Sequence, residues 1–349
     1  MENLNKDFTL VGSKGSDSTE KIAKPALSFF QDAWRRFKKN KVALVAMWII
    51  AITLAFSVIS AFVVPQSKAN YFNPNKSQVY GNLPPKLSGD LPFWNGEFKA
   101  PGSTERTDVY KSQDVPSKDK YVFGTDKYGR SLAKRTIVGL RISLIIALAA
   151  ALIDLVIGVT YGIISGWMGG KVDMVMQRII EIIQSVPNLV VVTMLALLLG
   201  QGISSIIIAI GLFAWTGMAR QVRNMVLSYK ERDFVLASKT LGQSTWKIAV
   251  KHLLPNVSGV IVVQIMFDIP SMIMYEAVLS AINLGVKPPT SSLGTLINDG
   301  IASLQFYPFQ LIIPAVVLSV LSLTFIFFGD GLTLEQVRIR NGRRKSIRS

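Results

Sequence analysis

Residues able to do acid–base or coordination chemistry are few in this 349-residue chain, and they are not grouped as an enzyme requires. The one histidine, His252, has no Ser/His/Asp or metal-ligand cluster around it in the sequence, so it is expected to pack or cap. Cysteine is absent, which excludes disulfides and thiolate metal sites. Gly169-Gly-Lys171 is followed by valine and lacks the glycine spacing of a phosphate-binding loop. No catalytic residue, metal site or bound cofactor is therefore expected in this chain. Three acids stand out for another reason. Asp154, Asp268 and Glu276 fall inside long apolar runs, where an ionised group near a bilayer centre costs about 3 kcal/mol. Such groups must face protein or a water-filled cavity, either lining a path for a polar solute or bonding to neighbouring helices.

A second kind of chemistry is mechanical. Asp233-Phe-Val-Leu-Ala-Ser-Lys-Thr-Leu-Gly242 is followed by nine residues and then His252-Leu-Leu-Pro255. Phe234, Val235, Ala237, Ser238 and Leu241 can share a small-residue face. Gly242 can take a backbone shape closed to other residues. Trp246, Val250 and Leu253 make a second apolar stripe at helical spacing, and Pro255 is expected to end that helix. Two short helices about a glycine break make a rigid knob on which a soluble partner could push. An amphipathic connector lying on the membrane surface fits the same pattern.

The elements that carry these residues are membrane spans. Hydrophobic residues make up 50% of the chain and the mean hydropathy is +0.37. Apolar runs long enough to cross a bilayer lie at about 42–64, 142–165, a run to Leu199 interrupted at Ser185-Val-Pro187, 203–219, 257–283 and 311–329. Runs three and four together could instead form one re-entrant hairpin. The net charge of +16 does not point to nucleic acid, because the basic residues sit at the ends of the runs rather than in one stripe. Trp34-Arg-Arg-Phe-Lys-Lys-Asn-Lys41 holds five cations, and 220–256 holds seven Lys and Arg against two acids. By the positive-inside rule both segments, and both termini, are cytoplasmic. Residues 66–135 then lie outside; a loop that long translocates despite its cations. The first apolar run begins too late for a cleavable signal peptide.

The expected organisation is all-α and polytopic. It comprises a disordered tail over 1–33, an amphipathic segment and first span over 34–65, an extracellular lobe over 66–135 with turns and short strands, a core over 136–332 containing the loop 220–256, and a basic tail over 333–349.

With that pattern in place, the small-small-x-x-x-Gly spacing over Ala237–Gly242, the nine residues and the ending at Pro255 resemble the EAA loop of the membrane subunits of ABC importers. Leu236 stands where that loop usually has its acid. Phe123-Gly-Thr-Asp126, Gly129-Arg130, Gly139-Leu-Arg141-Ile-Ser143, Gly169-Gly-Lys-Val-Asp173, Arg178, Pro187, Glu276-Ala-Val-Leu-Ser280, Gly285-Val-Lys-Pro-Pro-Thr290 and Gly329-Asp-Gly-Leu332 resemble, in order and spacing, the C subunit of oligopeptide/dipeptide permeases. The resemblance covers about 30–332; the basic tail departs from it. It implies the six-helix type I permease fold and a non-catalytic half of a peptide pathway in a bacterial plasma membrane. The implied partners are a homologous permease, two ATPases that bind ATP and Mg, an extracellular peptide-binding protein, the lipid bilayer and the peptide; nucleic acid is not among them. Asp233, Phe234, Ala237, Ser238, Leu241, Gly242, His252 and Pro255 would then couple to an ATPase, and Asp154, Asp268 and Glu276 would be the candidates for the pathway. Oligopeptides are the expected substrate, with dipeptides or nickel as the alternatives within the family. A self-sufficient secondary transporter or channel, using Asp154 or Asp268 for ion coupling, is the competing class; six spans without a visible inverted repeat argue against it. A membrane-anchored receptor whose lobe binds a ligand is a third.

Overall fold

A computed structural model describes residues 37–38, 40–87, 93–99 and 105–346. The expected disordered tail and the cations Arg35, Arg36 and Lys39 lie outside the described residues. Helix α1 (Lys41–Val63) starts at Asn40, whose side chain accepts from the Ala43 amide. A long helix α2 (Leu132–Met168) follows the lobe. Helices α3 (Gly170–Ser185) and α4 (Asn188–Leu199) come next, and α5 (Ile203–Lys230) returns. The short α6 (Asp233–Thr240) leads into α7 (Thr245–Ala281). Helices α8 (Leu293–Ser303) and α9 (Phe309–Ser346) complete the bundle.

Five of these helices are long and apolar enough to cross a membrane, and the α3–α4 pair, bent by 78°, makes a sixth if it counts as one span. The bend falls at Ser185-Val186-Pro187, where proline removes a helical donor. Pro270 and Pro314 instead sit inside helices that continue past them. Helix α9 also runs on past the apolar run to Ser346, so the basic tail prolongs a helix.

The lobe stands on the ends of α2 and α9. It contains the helices Gln66–Ala69, Pro74–Tyr80 and Val109–Ser112 and an antiparallel pair, β1 (Glu97–Phe98) with β2 (Thr107–Asp108). Leu83, Tyr110 and Val115 form its small core. Asp126 is its hub. It accepts from the amides of Tyr128 and Arg130, from Arg130 Nε at 2.7 Å and from Arg135 Nη1 at 2.8 Å. Arg135 is itself buried in the first turns of α2 and also reaches Asn70 and Asp299. Gln310 at the start of α9 donates to Asn82 Oδ1 and to the Thr125 carbonyl. Thus Phe123–Arg130, noticed in the sequence as a motif, is the turn that pins the lobe to the bundle.

The core lies where α2, α5, α7 and α9 meet, around Ile146, Ile210, Ile273 and Leu321. Helix α2 packs on α5 through Gly158, Gly162 and Gly166, which recur every four residues. A Cβ at Gly162 would sit 2.5 Å from the Ala219 carbonyl oxygen and 2.8 Å from Val222 Cβ. Small residues at this spacing let helix backbones approach in a membrane.

Candidate functional site

The 233–255 segment forms a knob on the ends of α2 and α5, at the end of the bundle opposite the lobe. Asp233 lies in the first turn of α6, where a carboxylate complements the helix dipole. The helix ends at Gly242, whose φ of +73° is left-handed. The Gly242 amide donates to the Lys239 carbonyl and the Gln243 amide to the Ser238 carbonyl. This double closure ends a helix and favours glycine at that position. His252 Nε2 donates to Gln243 Oε1 at 3.2 Å, tying the turn to the second helix.

The knob's inner face packs tightly. Val235, Ile248, Ala249, Leu253 and Val257 are buried against Met218, Val222 and Val226 of α5. Lys230 Nζ donates to the Trp167 carbonyl at 2.5 Å, joining the end of α5 to the end of α2. Just above, Arg223 grips Asp173 with Nε and Nη2, both at 2.5 Å. Asp173 also accepts from Ser165, which fixes the α2–α3 turn to the same clamp.

The outer face is open. Leu241 is 80% exposed and Trp246 is 70% exposed, and Phe234, Leu236 and Val250 are exposed as well. Ala237, Lys239, Lys247 and Lys251 are also exposed.

Three expectations about this segment need correction. The five residues from Phe234 to Leu241 do not share a face: Val235 and Ser238 turn inward, while Phe234, Ala237 and Leu241 point out. The stripe Trp246, Val250 and Leu253 is split likewise, with Leu253 fully buried. Its cause is a five-residue π-turn, Ala249–Leu253, which rotates the helical register. Nor does Pro255 end a helix. The π-turn lies immediately before it, at the carbonyls a proline would otherwise orphan, and Asn256 Nδ2 donates back to the His252 carbonyl at 2.6 Å. Helix α7 therefore runs unbroken from the knob into the bundle.

Among the intramembrane acids, Glu276 is completely buried. It accepts from the hydroxyls of Ser143 (3.0 Å), Ser280 (2.8 Å) and Ser292 (2.6 Å), joining α2, α7 and the start of α8. Asp154 is also fully buried and meets Asp268, which is partly buried. The structure thus brings Asp154 and Asp268 together and sets Glu276 apart, two turns up α7. Sequence reasoning missed the Asp173–Arg223 clamp, whose partners lie 50 residues apart, and the Gly158–Gly162–Gly166 stripe, whose four-residue spacing was legible.

Residues 158–333 match the family described as the binding-protein-dependent transport system inner membrane component, and residues 28–85 match the N-terminal transmembrane domain of oligopeptide transport permease C. The chain is 97% identical over 332 residues to the dipeptide transport system permease protein DppC of Lactococcus lactis, covering 95% of this chain and 97% of that one. It is 37% identical over 332 residues to the oligopeptide transport system permease protein OppC of Bacillus subtilis, covering 95% and 97%. It is 38% identical over 328 residues to the OppC of Escherichia coli, covering 93% and 97%. A knob at one end of a helical bundle, its order of motifs and these matches along nearly the whole chain agree: the chain belongs to the family of inner-membrane permease components of binding-protein-dependent ABC transport systems, and is a non-catalytic subunit of that kind.

Proposed function

We propose that this subunit forms half of the pathway of an ATP-driven peptide importer and that its 233–255 knob is the surface an ATPase subunit grips. The observation that carries the reading is the outer face of the knob. Leu241 and Trp246 are exposed and flanked by lysines, on a base that is fully packed. Exposed apolar groups rimmed by polar residues mark protein contacts. The cations of 220–256 support a cytoplasmic position for this face, where ATP is available, and with it a reading that has both termini on the same side and the lobe outside.

Two ATPase subunits holding ATP and Mg, a homologous permease and an extracellular peptide-binding protein complete the assembly. The unbroken α7 carries knob motion into the core, and the Lys230 and Arg223 contacts carry it into α2. ATP-driven closure of the ATPases biases a two-state bundle through these rigid elements. Peptide is the substrate class; the near-identical relative named for dipeptides favours short peptides over longer ones.

The test is reconstitution of the assembled complex in vesicles with labelled dipeptide and longer peptides. Uptake that needs ATP and the binding protein is expected, and Gly242→Pro, which cannot adopt the left-handed turn, should abolish it while the chain still inserts. Gradient-driven uptake by this chain alone, or full ATP-driven uptake by Gly242→Pro, overturns the reading.

A further inference from the structure

Asp154 and Asp268 are used by neither the knob nor the pins of the fold. Asp154 sits midway along the 142–165 apolar run and opens a five-residue π-turn, Asp154–Gly158. Asp268 sits midway along 257–283. Asp154 is completely buried, its carboxyl meets that of Asp268, and neither of its oxygens receives an N–H or a hydroxyl among the described residues. Asp268 has one donor, Gln264 Nε2 at 2.9 Å.

Among the described residues, the helices that carry the pair, and α1, α5 and α9, hold no cation at its level. Helix α2 has no Lys, Arg or His between Arg141 and Lys171, α5 has none before Arg220, and α7 has none between His252 and Lys287; Val42–Val63 of α1 and Phe309–Thr333 of α9 have none at all. Helix α5 offers only apolar residues from Ile206 to Trp215, and it packs Gly211 against Ile153 beside the pair. On the acids' own helices, the Thr160 and Ser271 hydroxyls donate to carbonyls one turn back. The nearest other titratable groups on α7 are Tyr275, whose hydroxyl has no partner among the described residues, and Glu276, occupied by three serines.

Two adjacent carboxylates in an apolar layer repel, and each is costly alone. One positive charge between them removes the repulsion and leaves a single negative charge spread over the pair, with Gln264 donating to it. We propose that Asp154 and Asp268 bind one small monovalent cation, a sodium ion or a proton, at the centre of the bundle. The cation bridges α2 to α7, the helix continuous with the knob. Its occupancy therefore favours the arrangement of helices seen here, and separating α2 from α7 releases it. The site does not depend on which solute the assembly carries.

The experiment is thermal unfolding of the full-length chain, with its co-purifying subunits, in lipid nanodiscs over a sodium series balanced with choline and over a pH series. If sodium binds, the midpoint rises by about 2 °C for each tenfold increase in sodium above the dissociation constant. If a proton binds, sodium has no effect and the wild-type midpoint falls relative to that of either Asp→Asn variant as pH rises, because only the wild type gains a second carboxylate charge at the pair. In both cases the response is lost in Asp268→Asn and in Asp154→Asn. Should the variants fail to fold, infrared difference spectra of the wild-type protein decide: sodium-dependent carboxylate bands support the sodium site, and a pH-sensitive carboxylic-acid band that deuteration shifts supports the proton. A wild-type midpoint that tracks both variants throughout, or spectra with neither band, overturns the proposal.

Discussion

Replacing Gly162 by alanine adds one methyl group at the tightest point of the α2–α5 contact. The new Cβ would lie 2.5 Å from the Ala219 carbonyl oxygen, 2.8 Å from Val222 Cβ and 3.0 Å from the Arg223 amide nitrogen. Two of these are backbone atoms of a packed helix and cannot rotate away, so the helices must part. Overpacking of this kind costs about 1–3 kcal/mol. Alanine offsets part of that, because it favours a helix interior over glycine by about 1 kcal/mol. A net loss of about 1–2 kcal/mol is expected. Gly217 on the outer side of α5 is the control: nothing lies within 4 Å of its Cβ position, so Gly217→Ala should be neutral or slightly stabilising. Thermal unfolding of the two purified variants in the same detergent reads the difference. The separation at Gly162 also pulls on Arg223, so ATPase co-purification should weaken in parallel. Equal stability of the two variants would refute the close-packed contact.

Further outcomes are expected elsewhere. Glu276→Ala leaves three buried hydroxyls without their acceptor, at about 1–3 kcal/mol each, so little folded protein should survive size-exclusion chromatography, whereas Glu276→Gln should retain some; a monodisperse, fully stable Glu276→Ala chain would contradict this. Arg223→Lys replaces a two-pronged grip on Asp173 with a point charge; it should lower the unfolding midpoint and loosen the knob, measured as faster proteolysis within 231–244. In the lobe, the hydrogen bond to Asp119 pushes the Tyr80 hydroxyl up to about 12. Because the folded value lies above the unfolded value of about 10, the contact's stabilisation is complete below about pH 10 and is lost as pH rises through about 12. A phenolate absorbance titration should show Tyr80 among the late tyrosines, together with the buried Tyr110, and Asp119→Asn should move one of that late group earlier.

How much of this was legible in the sequence depends on the range of the interaction. Spans α1, α5 and α9 are continuous apolar runs, and a bilayer leaves a helix few alternatives, so their existence follows from composition. The knob's existence followed from Gly242 and the spacing to Pro255, both local features. Its faces did not, because the π-turn at Ala249–Leu253 adds a residue to the turn and shifts every side chain after it; an ideal helical wheel therefore grouped Leu253 with Trp246. Pro255 was misread for the same reason, since a proline ends a helix only when the preceding turn cannot widen. The Asp173–Arg223 clamp joins residues far apart in sequence and leaves no periodic trace. The pairing of Asp154 with Asp268 needed two helices to be set side by side, which hydropathy alone cannot do.

The account turns on what the knob touches. The chain has no cysteine, so Leu241→Cys and Trp246→Cys each introduce one thiol on the exposed face, and Lys118→Cys introduces one on the lobe as a control. Crosslinking in membranes of cells that express the whole assembly, with a short bifunctional reagent, is the most direct measurement. The account predicts that the two knob positions capture an ATPase subunit, more strongly in one nucleotide state than in the other, and that the lobe position captures none. ATPase captured from the lobe, or none captured from either knob position in any nucleotide state, would contradict it.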